Sequence, residues 1–128
     1  MSIRVVVAEI EKEDSYLLTQ RLSTATLPLL WEFPGGRVRE EEDVEEALHR
    51  ALAFRIDAHV EIQEKLMEHT HTYSGYDVTL IVYRVTLRSN VKALNVEDVR
   101  WVPFDELHTY QFPPADQKTM DLLLQDID

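Results

Sequence analysis

Between residues 31 and 58 the chain passes from a short strand through a breaker into an amphipathic helix, and that order restricts its folds more than any other feature. Trp31-Glu32-Phe33 reads as a strand, and Pro34-Gly35-Gly36 stops it with a tight loop that lets backbone come close to a ligand. Val44, Ala47, Leu48, Ala51 and Leu52 then fall at i, i+3, i+4, i+7 and i+8, one apolar stripe of a helix. Glu41, Glu42, Glu45, Glu46, His49 and Arg50 lie outside the stripe. The four acids are expected in the first half of the helix, where its dipole favours negative charge.

The flanking sequence supplies the rest of a sheet. Residues 3–10 are rich in Val and Ile and read as a buried strand. A charged turn at 11–14 joins it to a strand at 16–21, with an irregular stretch over 22–30. Strands are expected at 60–66, 68–73 and 76–87, with Ser74-Gly75 as the hairpin turn, and at 99–102. Residues 103–107 read as one helical turn. Pro113-Pro114 opens a last helix with Met120, Leu123, Leu124 and Ile127 on one face. Strands and two helices in mixed order predict an α/β protein, a sheet covered by helices.

Composition narrows the function. The 128 residues fit one domain, 1–128, and 45% apolar content is that of a globular chain. A net charge of −11 argues against nonspecific nucleic acid or an anionic membrane as partner, leaving room only for a small, locally basic pocket. With no cysteine there is no disulfide, thiolate catalysis or Cys-type zinc site, and the simplest location is cytoplasmic. The apolar run at the start is too short for a signal peptide or membrane span. Nothing in the sequence specifies a protein partner.

Residues 31–58 resemble the box of the Nudix hydrolase superfamily, which runs G-x(5)-E-x(7)-R-E-U-x-E-E-x-G-U with U apolar. Gly36, Glu42, Arg50 and the apolar Leu52 match in register. Leu30 to Gly36 resembles the lead-in of MutT-like members and of the MutY C-terminal domain. Phe112-Pro113-Pro114-Ala115-Asp116 is similar to a Phe-Pro-Pro-Ala-Asn segment of MutT, and His71-Thr72-Tyr73 with Val78-Thr79-Leu80 to central strands of the MutY domain. The resemblance implies the Nudix fold, an α/β/α sandwich with a mixed curved sheet and two main helices. It also implies kinship with 8-oxo-dGTP diphosphatases.

Such enzymes cleave a nucleoside-linked diphosphate by water attack assisted by Mg²⁺ or Mn²⁺, hard ions that need oxygen ligands. Three glutamates at i, i+3 and i+4 of the box helix would supply them. Here those positions are Ala51, Phe54 and Arg55, and the closing Gly and apolar residue are Asp57 and Ala58. A fixed cation repels a divalent ion. No metal ligand set is therefore expected, whereas Glu42 and Arg50 keep the box members that tie loop to helix.

The resemblance also suggests a nucleotide site. Arg21 matches an arginine near the nucleotide in MutT, and Asp116 replaces the asparagine that reads the base. With Phe33, Gly35 and Gly36 they form the expected nucleotide-binding set. An ionised Asp only accepts hydrogen bonds, so Asp116 would suit a donating purine edge or need a proton of its own. Its plainer role is an acid at a helix N-terminus. Tyr73, Tyr76 and Tyr83 are candidates to stack beside Phe33, or to pack the core. His69 and His71 read as strand residues, since two histidines without a third ligand rarely hold metal.

The first expectation is a Nudix homologue that binds a nucleotide with little or no hydrolysis. An alternative is an active pyrophosphohydrolase using relocated carboxylates at Glu42, Glu46, Glu97 or Asp98, with Mg²⁺ or Mn²⁺ as cofactor. A third is a non-catalytic binding module like the MutY C-terminal domain.

Overall fold

The structure, a computed structural model, describes residues 1–125. Its elements in chain order are strands β1 (Ser2–Glu9), β2 (Glu11–Lys12), β3 (Ser15–Gln20), β4 (Trp31–Glu32) and β5 (Gly35–Arg37), helix α1 (Val44–Ile56), and strands β6 (Val60–Tyr73), β7 (Tyr76–Leu87) and β8 (Asp98–Pro103). A 3-10 helix (Phe104–Thr109) and helix α2 (Pro114–Gln125) follow.

One sheet has the order β5-β1-β7-β6, with β1 and β7 parallel and the other pairs antiparallel. A second runs β2-β3-β4, with β8 also paired to β3. The strand period of two sends alternate side chains to opposite faces. On one face Val6, Ala8, Ile10, Leu17 and Ile81 pack with Leu48, Leu52 and Ile56 of α1. On the other, Val7, Leu18, Leu80 and Val82 pack with Ala115, Met120 and Leu123 of α2. The result is the expected α/β/α sandwich. Full burial of Leu48, Leu52 and Ile56 stabilises it by about 1.5–3 kcal/mol each. Ile127, assigned to the inner face of α2, lies outside the described residues.

Four local expectations are corrected. Gly35 and Gly36 do not form a loop: they begin β5, paired antiparallel with β1 as Val7↔Gly35 and Val6↔Gly36. A Cβ on Gly35 would stand 2.1 Å from the Val6 carbonyl oxygen, so glycine is there for close strand approach. Residues 60–66 and 68–73 are one strand, kinked by register shifts between Ile62 and Glu64 and between Lys65 and Met67. The turn after β1 is confined to Glu13 and Asp14, at φ 49° and 61°, because Glu11 and Lys12 already pair with β3. Finally, Glu41 and Glu42 precede α1. The helix is capped at Asp43, whose carboxylate accepts from the Glu46 N–H, while the Glu46 carboxylate accepts from the Asp43 N–H.

The end of α1 keeps its shape despite its unusual residues. Asp57 adopts φ 56° and ψ 31°, the left-handed conformation that ends a helix, and Ala58 is buried.

Candidate functional site

A cavity of about 510 Å³ opens between β1, the 22–30 loop, β4–β5, the β6–β7 hairpin and the start of α2. All five residues of the expected nucleotide set, Arg21, Phe33, Gly35, Gly36 and Asp116, line it. Tyr73 and Tyr76 line it too, their rings stacked at 5.3 Å and 16° between planes. Tyr83 does not join them: the strand period turns it to the α1 face. Pro113-Pro114 starts α2 so that the Ala115 N–H donates to the Tyr73 hydroxyl, at 3.2 Å. That bond ties the helix start to the hairpin.

Asp116 is 6% exposed, and one of its oxygens accepts from the Phe33 N–H at 3.2 Å. Burial pushes its carboxyl well above the ordinary aspartate range, and the nearby Glu32 charge adds to this. The Phe33 N–H and the Arg21 guanidinium oppose the shift without cancelling it. A protonated Asp116 has one donor and retains acceptor capacity.

Arg21 faces the cavity while bracing the loop beside it. Its Nε donates to the Thr26 and Leu27 carbonyls at 2.8 and 3.1 Å, and Nη1 to Glu32 at 2.9 Å. Glu32 also meets Arg55 at 3.8 Å. The guanidinium at a box glutamate position thus stands at the edge of this cavity, loosely paired with a carboxylate from β4.

The three box positions do not fit Mg²⁺ or Mn²⁺. Ala51 is buried beneath Gly36, where a Cβ would already lie 2.9 Å from the Ala51 methyl. Phe54 is 61% exposed, and Arg55 is a cation. Among the described residues no three of His, Asp or Glu are grouped to hold a metal ion.

The relocated carboxylates fall in two groups. Glu42 and Glu46 border one shallow cleft before α1, but both are already engaged. Glu42 accepts from Arg50 Nε at 2.6 Å, Arg50 Nη2 at 2.9 Å and the Arg39 N–H at 3.1 Å. The Arg50 hydrogen bonds hold its carboxyl at about 2. Arg50 Nη2 also donates to the Arg37 carbonyl, so the pair joins β5, the following loop and α1. Glu97 and Asp98 lie at the head of β8 beside Gln20, where Asp98 accepts from the Val99 N–H and from Arg100. His69 Nε2 bonds the Thr119 hydroxyl at 2.6 Å, and His71 packs edge-on against Tyr73.

The sequence reading missed a group of arginines. Arg4, Arg37, Arg39, Arg50 and Arg55 line a second cavity of about 770 Å³, which shares Ile3, Gly36, Arg37 and Arg55 with the first. They come from β1, β5, the following loop and α1. No spacing rule links such positions, so the only signal was Arg55 itself.

Known proteins agree with this architecture. The NUDIX domain pattern matches residues 5–122. A CTP pyrophosphohydrolase of Escherichia coli is 30% identical over 115 residues, covering 89% of this chain and 85% of that protein. The solution structure of the E. coli ORF135 protein superposes with a TM-score of 0.84 at 28% identity, over 97% of this chain and 89% of the other. A MutT Nudix hydrolase of methicillin-resistant Staphylococcus aureus gives 0.75 at 29% identity, over 98% of both chains. Neither the helix stripe nor the box remnants stand alone, then, and the chain belongs to the MutT-like Nudix hydrolase family.

Proposed function

We propose that residues 1–128 act as one nucleotide-binding domain that holds a nucleoside di- or triphosphate and hydrolyses it slowly or not at all. The observation that carries this reading is the convergence of Asp116, Phe33, Arg21 and the Tyr73–Tyr76 stack on one cavity, beside a helix with no carboxylate at the three box positions. The aromatics offer faces to a base. A protonated Asp116 suits an edge with an amine donor next to a ring-nitrogen acceptor, as on cytosine or adenine. The CTP pyrophosphohydrolase of E. coli makes cytosine the first base to try. The cytoplasm, where free nucleotides are plentiful, is the corresponding location.

Calorimetry with CTP, CDP and cytidine, with ATP and dGTP as comparison bases, tests the reading when paired with assays of phosphate and pyrophosphate release. Binding of CTP above dGTP without turnover is the expected result. Rapid Mg²⁺-dependent hydrolysis would establish the active alternative instead.

A further inference from the structure

We infer that the arginine cleft beside the base cavity is a binding site for the phosphate chain of a nucleotide, with guanidinium groups doing the work of the divalent ion. This rests on reading the adjoining cavity as the nucleoside pocket. Acids outnumber bases 24 to 13 in the chain, yet five arginines and a single acid, Glu40, line this cleft. The arrangement opposes the charge of the whole molecule.

The ion-pair partners are unevenly spread. Arg50 is held by Glu42 at 2.6 Å, and Arg55 is only loosely paired with Glu32 at 3.8 Å. Among the described residues Arg4, Arg37 and Arg39 take part in no salt bridge. Arg39 also borders the neighbouring cleft of Glu40, Glu41, Glu42 and Glu46, but inside the arginine cleft the guanidinium groups outnumber the acids, so they repel one another and a polyanion removes that cost. Their planar forks match phosphate oxygens in bidentate pairs.

Geometry gives the direction of the ligand. Gly36, Arg37 and Arg55 border both cavities, so a nucleoside lodged against Phe33 and Asp116 would send its phosphates past Gly36 onto the arginines. A side chain at 36 would press on Ala51 and narrow that passage. Arg55, standing at a box glutamate position, puts fixed positive charge where the family pattern would recruit a metal ion.

The test uses inorganic tripolyphosphate, CTP and cytidine, titrated calorimetrically in EDTA and again in Mg²⁺. Tripolyphosphate should bind in EDTA, and Mg²⁺ should weaken it by neutralising the anion. Arg4→Gln and Arg39→Gln, at residues that line only the arginine cleft of the two and form no salt bridge among those described, should each lower its affinity about tenfold or more with cytidine binding unchanged. Circular dichroism confirms that each variant is folded. Failure of tripolyphosphate to bind in EDTA, or binding only with Mg²⁺, overturns the inference even if CTP binds. Binding of tripolyphosphate no weaker than CTP, with cytidine silent, leaves the anion site standing and removes the nucleotide reading.

Discussion

Arg50 grips Glu42 through two parallel hydrogen bonds, Nε to Oε2 at 2.6 Å and Nη2 to Oε1 at 2.9 Å. The fork closes the loop before α1 onto the body of the helix, eight residues on. A lysine has one point charge and cannot reproduce it.

The acid limb of stability follows from that pair. Glu42 is lowered from 4.5 to about 2, chiefly by Arg50. A carboxyl with a depressed folded value contributes stability above its unfolded value, and that contribution is lost as pH falls through the folded one. Glu42→Gln should therefore melt below the parent at pH 7, with the gap closing between about pH 4.5 and pH 2. Thermal melts across this range check it, and Arg50→Lys should behave similarly.

Asp116 carries the opposite sign. Its folded value is raised by burial, so the native state holds the proton more tightly than the unfolded chain does. Stability is then fully present below the ordinary 3.8 and declines as pH rises through the folded value. Asp116→Asn keeps an acceptor for the Phe33 N–H and removes the titration. It should melt above the parent at pH 8, with the difference vanishing toward pH 4. A pH-independent difference would show that Asp116 is ionised in the native state.

Gly35→Ala should cost about 3 kcal/mol or more, since its methyl would overlap the Val6 carbonyl and force β1 and β5 apart. Urea unfolding measures this. Gly75→Ala is a control of another kind: nothing lies within 4 Å, and only the φ of 86° opposes the side chain.

Asp57→Gly should stabilise the protein by about 0.5–1 kcal/mol. The left-handed conformation costs a non-glycine residue about 1–2 kcal/mol, partly offset by the greater freedom of glycine in the unfolded chain. The midpoint of urea denaturation should rise without a change in slope.

Returning the three carboxylates should reverse the ligand chemistry. Ala51→Glu combined with Phe54→Glu and Arg55→Glu places oxygens at i, i+3 and i+4 of α1. This triple variant should bind Mn²⁺, seen by calorimetry and electron paramagnetic resonance, and its tripolyphosphate affinity in EDTA should fall. Unaltered tripolyphosphate binding would place the anion elsewhere than beside Arg55.

The sequence by itself determined the buried strand within residues 3–10, the stripe from Val44 to Leu52 and the partners Glu42 and Arg50. These are local or fixed-register features, for which periodicity or a familiar spacing suffices. It also named five residues that border one cavity, through resemblance to a family pattern. Only the tertiary structure decided that Gly35 and Gly36 belong to a strand, because their need for space comes from Val6 and Ala51. It alone turned Tyr83 away from Tyr73, and raised Asp116 by burying it near Glu32. The arginine cleft likewise depends on β1, β5 and α1 meeting, since charges from remote positions become one field only when the fold sets them side by side.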